Sequence, residues 1–122
     1  MTWEFKKDRP IYSQLIEQIE MNIISGLWGP GERLPSVRDL AAQAAVSPNT
    51  MQRALSELER DGLLYTVRTS GRFITEDSDM IQKLKDSLAL VEIQEFFEKM
   101  SKLGFDHAQA VLMLENAAKG EK

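Results

Sequence analysis

Four arginines, Arg38, Arg53, Arg68 and Arg72, stand in sequence among short polar residues: Ser36, Ser47, Asn49, Thr50, Gln52, Ser70 and Gly71. A guanidinium is planar, always charged, and forks onto phosphate oxygens or onto the O6 and N7 acceptors of guanine. The carboxamides of Asn and Gln match the corresponding edge of adenine, and hydroxyls and glycine amides suit phosphate. The chemistry available to such a set is recognition by hydrogen bonding, not the making of bonds. Nothing elsewhere supplies a nucleophile with its base or a metal cluster, since the 122 residues include no cysteine and one histidine, His107. Glu76, Asp77 and Asp79 are better explained by helix capping and a solvated linker than by a hard cation. The residues therefore imply neither an enzyme nor a resident metal or cofactor.

The net charge of -4 looks wrong for a phosphate binder until the chain is divided at Thr75. Residues 1–75 hold nine Lys/Arg and nine Asp/Glu, the remainder six and ten, and all seven arginines lie in the first part. With 43% hydrophobic residues the chain has material for one modest core and a small appendage. The start lacks a signal peptide's apolar run, and no stretch approaches the roughly 20 apolar residues that span a bilayer. A cytoplasmic protein with no membrane partner is expected.

The elements that must position the polar set can be read from periodicity and caps. Pro10 opens a helix whose apolar face is Tyr12, Leu15, Ile16, Ile19 and Ile23, and the Gly29-Pro30-Gly31 cluster follows its end. Ser36, three residues before Asp39, starts a short helix burying Val37, Leu40, Ala41 and Ala44. Ser47-Pro48 repeats the signal for a third helix burying Met51, Ala54, Leu55 and Leu58, which ends at Gly62. Two such helices joined by a tight turn form a helix-turn-helix. Leu63 to Val67 and Arg72 to Thr75 read as a hairpin around Arg68-Thr-Ser-Gly71, with Arg33 to Pro35 as a candidate third strand. From Ser78 a long helix carries two stripes, Ile81, Leu84, Leu88 and Val91 on one and Ile93, Phe96, Phe97, Met100 and Leu103 on the other. A last helix is capped by Asp106 and Gln109. The expected fold is mainly α with a small β-wing, with a winged head at 1–76 and a helical segment at 77–122.

The run from Pro30 to Ala41, PGERLPSVRDLA, closely resembles the head of the GntR family of bacterial regulators, and Val46 to Leu55, Leu58 to Leu63 and Gly71 to Ile74 continue the match in order. The Ser-Pro-Asn-Thr variant and the short tail are similar to the YtrA-like subfamily. The resemblance implies a homodimeric transcription regulator, often of transporter operons, that binds double-stranded DNA through a winged helix-turn-helix. It also implies that Arg38 contacts DNA, the alternative being a surface salt bridge to Asp39 or Glu57. Three positions depart from the family pattern. Thr69 stands where a wing glycine is usual, and Pro48 and Gln52 replace frequent arginines. Base preferences of other branches therefore do not transfer.

On this reading Asn49, Thr50, Gln52 and Arg53 face base edges from the start of the third helix. Ser36 and Ser47 cap helices and present hydroxyls to phosphate, while Arg68, Ser70, Gly71 and Arg72 lie at or near the wing tip. An acidic tail with two apolar stripes buries naturally against a second copy, through Ile81, Leu84, Leu88, Val91, Ile93, Phe96, Phe97 and Met100. A repressor acting on a palindromic operator is the expected function, and a small-molecule effector would sit between helices or between subunits. The rival is a winged-helix module that binds only protein, for which the electrically neutral head is the best argument.

Overall fold

The computed structural model describes residues 3–120. Helix α1 (Ile11–Ile24) begins directly after Pro10, whose fixed φ suits a helix entry. Its stripe Leu15, Ile19 and Ile23 is buried, with Tyr12 and Ile16 packed half-buried against the same core. Before it, the segment from Glu4 to Arg9 is tied down by two glutamines four residues apart. The buried Gln14 carboxamide accepts from the Lys6 N–H at 2.6 Å and donates to the Lys6 and Arg9 carbonyls at 2.7 and 2.9 Å. Gln18 exchanges bonds with the Glu4 backbone in the same manner.

Helices α2 (Val37–Ala44) and α3 (Pro48–Arg60) form the helix-turn-helix. Each is opened by a serine cap: Ser36 Oγ accepts from the Asp39 N–H and Ser47 Oγ from the Thr50 N–H, both at 3.1 Å. The turn between them passes through Ala45 at φ 58°, a left-handed conformation that costs a non-glycine residue roughly 1–2 kcal/mol. The bond from the Val46 N–H to the Ala41 carbonyl and the packing of Val46 on the core hold it there. Met51, Ala54, Leu55 and Leu58 of α3 are buried against Leu15, Ile19 and Ile23 of α1 and Leu40, Ala41 and Ala44 of α2 in one cluster.

Strands β1 (Leu64–Val67) and β2 (Gly71–Ile74) make the antiparallel wing, in register from Leu64↔Ile74 to Val67↔Gly71. The third strand expected at Arg33 to Pro35 reduces to a single bridge, Arg33↔Phe73, supported by Leu34 N–H to Arg72 O and Ile74 N–H to Glu32 O at 2.9 Å. Pro35 cannot donate to a ladder, which is why the pairing stops there. The wing is pinned to α3 by Glu59, whose carboxylate accepts from Thr66 Oγ1 at 2.9 and 3.0 Å and from Arg72 Nε at 3.1 Å.

The chain divides into two compact units, 1–84 and 85–122. The first extends beyond the boundary expected at residue 76 because Met80, Ile81 and Leu84, at the start of α4 (Ser78–Lys102), pack against the head core. Ile81 and Leu84, expected in a dimer interface, are therefore half-buried within the head of their own chain. The second unit holds the remainder of α4 and α5 (His107–Ala118), joined through Gly104 at φ 97°. A reciprocal capping box between Asp106 and Gln109 opens α5, and the His107 ring stacks on Phe97 with centroids 4.4 Å apart. Among the described residues of this unit only Ala110 is buried.

Two outcomes follow from this packing. Glu59→Ala removes the bonds that hold the wing and leaves Arg72 unpaired, so denaturant unfolding is expected to show a loss of about 1 kcal/mol with α3 intact. Glu20, on α1, has its carboxyl pKa raised, first by burial and then by the charges of Asp61 and Glu17. A raised carboxyl favours the protonated native state, so the native state is penalised as pH rises through the shifted value. Glu20→Gln should therefore raise the melting temperature at neutral pH, and the gain should vanish once the pH falls to about 4 or below, where both states are protonated.

Candidate nucleic-acid interface

Helix α3 is buried along one stripe and open along the other. Met51, Ala54 and Leu58 are fully buried and Leu55 nearly so, while Asn49, Gln52 and Arg53 are exposed on the same helix. Hydrophobic burial fixes which side faces inward, and the period of 3.6 residues then puts the polar residues outward. The Ser47 cap and Pro48 fix where the helix starts, so Asn49 and Thr50 are held in its first turn.

The eleven residues expected to contact DNA fall into two groups by their bonds within the chain. Arg38, Asn49, Arg68 and Ser70 are exposed, and no side-chain hydrogen bond or ion pair occupies them among the described residues. The salt bridge from Arg38 to Asp39 or Glu57 is absent there, and Glu57 bonds Arg60 instead. These four side chains are available to an outside acceptor. The others are engaged. Ser36 and Ser47 cap helices, Ser47 Oγ lies 2.8 Å from Thr50 Oγ1, and Gln52 donates to Ser56 Oγ at 3.0 Å. Arg53 lies over the Tyr12 ring, 4.6 Å from its centroid.

Arg72 lies near the wing tip as expected, but its side chain is engaged within the chain. The hairpin turn is Arg68, Thr69 and Ser70, whereas Arg72 is the second residue of β2, opposite Thr66, with its side chain largely covered and bound to Glu59. The alternation of side chains along a strand sends it toward α3. Thr69 occupies the departure noted in the sequence and adopts φ 74°, a left-handed conformation ordinarily reserved for glycine. Gly71 adopts φ 116°, a conformation that L side chains rarely take, and an added Cβ would stand 3.2 Å from the movable Arg33 Nε. The wing tip therefore presents Arg68 and Ser70, with Arg33 behind it.

Sequence reading missed three positioning groups. The spacing gives Glu59 and Gln14 no role and places Tyr12 on the apolar face of α1. Each acts through a partner outside its own helix, Lys6 and Arg9 for Gln14, Arg53 for Tyr12, and Thr66 and Arg72 for Glu59, which periodicity does not reveal. Among the described residues no group of three or more His, Cys, Asp or Glu could hold a metal ion. Among the same residues no helix is long and apolar enough to cross a membrane.

Comparison with known proteins agrees with this geometry. The family of bacterial regulatory proteins named gntR matches residues 11–74, the span from α1 to the end of the wing. The chain is 41% identical to the helix-turn-helix-type transcriptional regulator YhcF of Bacillus subtilis over 83% of its own length and 84% of that protein. It is 41% identical to the transcriptional repressor YtrA of the same organism over 60% of its length and 56% of that protein. Among solved structures, a GntR family regulator from Listeria monocytogenes superposes with a TM-score of 0.82 at 37% identity, covering 92% of this chain and 98% of the other. The DNA-binding domain of AraR in complex with operator ORX1 superposes with a TM-score of 0.55 at 30% identity, covering 62% and 99%. With the family model matching α1 to the end of the wing and both relatives 41% identical, the chain belongs to the GntR family of bacterial regulatory proteins, in its YtrA-like branch, a family of regulators rather than enzymes.

Proposed function

We propose that this protein is a sequence-specific, cytoplasmic transcriptional repressor that binds a palindromic operator in double-stranded DNA as a homodimer. The observation that carries the reading is the outward face of α3, where Asn49 is unbonded and Gln52 and Arg53 are exposed behind a stripe that is completely buried. A helix so presented can enter a major groove, with Arg38 and the wing tip at Arg68 on the flanking phosphates. The AraR structure, a DNA-binding domain seen on operator DNA, supports the assignment. The reading requires no cofactor, and control of a transporter operon rests on the likeness to the YtrA-like branch alone.

Dimerisation is supported by the second unit. It has no core to speak of, yet Leu90, Val91, Ile93, Leu112 and Leu114 are about half exposed and Leu103 is 71% exposed. Apolar surface of this kind on a pair of helices with little buried between them is stabilised by a partner. A second copy is the occupant that also supplies a second head to a symmetric site, and the second contact is then intramolecular. Leu88, Phe96, Phe97 and Met100 are half-buried within the unit, so the exposed contribution shifts toward Leu103 and the face of α5.

Arg38→Ala should weaken binding to a duplex selected from a random pool by at least about tenfold, as expected for a lost charged contact, with the melting temperature unchanged. An electrophoretic mobility shift as strong as the parent's would remove Arg38 from the contact surface. Leu103→Glu combined with Leu112→Glu should sediment as a monomer and lose most of the affinity for the same duplex. An unchanged sedimentation mass would count against the tail as dimeriser.

A further inference from the structure

The first turn of α1 and the start of α3 enclose an open cleft of about 460 Å³, walled by Ile11, Tyr12, Val46, Ser47, Thr50 and Arg53. Arg53 does not extend freely from α3. Its guanidinium carbon sits 4.6 Å from the Tyr12 ring centroid, within the range where a cation is attracted to an aromatic face. Tyr12 is half-buried and packed on the head core, so its ring is a fixed platform. Stacking occupies the flat face of the guanidinium and leaves its N–H edges free to donate. The tether draws Arg53 toward α1, to the border of the outward face that carries Asn49 and Gln52.

We infer that Tyr12 is a positioning residue of the DNA-binding surface: its ring holds Arg53 at the border between α1 and α3, where the guanidinium grips a backbone phosphate instead of reading a base. The inference rests on the DNA-binding reading above and deepens it. The same cleft wall carries the Ser47 and Thr50 hydroxyls, 2.8 Å apart, and the amino-terminal end of α3. A phosphate oxygen there meets a cation, hydroxyl groups and the positive end of a helix together. Asn49 and Gln52 are left to the bases.

The test is a double-mutant cycle in DNA affinity. The full-length parent, Tyr12→Leu, Tyr12→Phe, Arg53→Met and the double variant Tyr12→Leu/Arg53→Met are titrated with a parent-selected duplex and with an unrelated one, over a range of salt. Tyr12→Leu and Arg53→Met should each weaken both duplexes alike, by about three- to tenfold. Each should also flatten the salt dependence by about one phosphate contact. Tyr12→Phe, which keeps the aromatic face, should match the parent, and the double variant should bind no more weakly than Arg53→Met alone. Thermal melts accompany every variant, and Tyr12→Met takes the place of Tyr12→Leu if the latter melts early. Additive losses would overturn the role of Tyr12. A loss confined to the selected duplex would overturn the phosphate assignment, and a parent that binds no duplex would overturn the DNA-binding reading and this inference with it.

Discussion

Everything at the proposed recognition surface depends on one packing constraint: Met51, Ala54, Leu55 and Leu58 of α3 are buried against α1 and α2. Burial of large apolar side chains contributes roughly 1.5–3 kcal/mol each, far more than any single surface contact. That stripe fixes the rotation of α3 about its axis, and with it which polar residues meet the outside. No polar interaction in the head competes with it in magnitude. The polar groups proposed to read DNA are thus placed by residues on the opposite, buried side of the helix.

The remaining positions are set by local backbone chemistry and a few polar ties. Serine caps at Ser36 and Ser47 set where α2 and α3 begin, and Ala45 in a left-handed conformation sets the turn between them. The wing is oriented by Glu59, which gathers Thr66 and Arg72 onto α3. The consequence is a division of labour among the arginines. Arg38 and Arg68 are unbonded and reach outward, whereas Arg72 serves the fold and Arg53 is held on an aromatic ring.

Much of this was legible in the residues. The apolar periodicity of α1, α2 and α3, the two serine caps and the capping box at Asp106 all appear where spacing places them, because they are local and nearly independent of tertiary context. What escaped is non-local. The pairing of Glu59 with Arg72 and of Arg53 with Tyr12 needs the packing of α1, α3 and the wing to be known first. The start of α4 was read as tail because Ile81 and Leu84 continue its helical stripe, yet they complete the head core. The left-handed Thr69 was visible only as a departure from a family pattern, since threonine by itself does not announce that conformation.

The central claim is that the outward face of α3 enters a major groove. Guanine N7 lies in that groove alone, so methylating it in a selected duplex and asking which methylated bases are excluded from the complex tests the claim directly. Interference should appear at guanines within two symmetric half-sites about one helical turn apart. Full binding with every guanine N7 methylated, together with loss of binding when only minor-groove positions are blocked, would contradict the account.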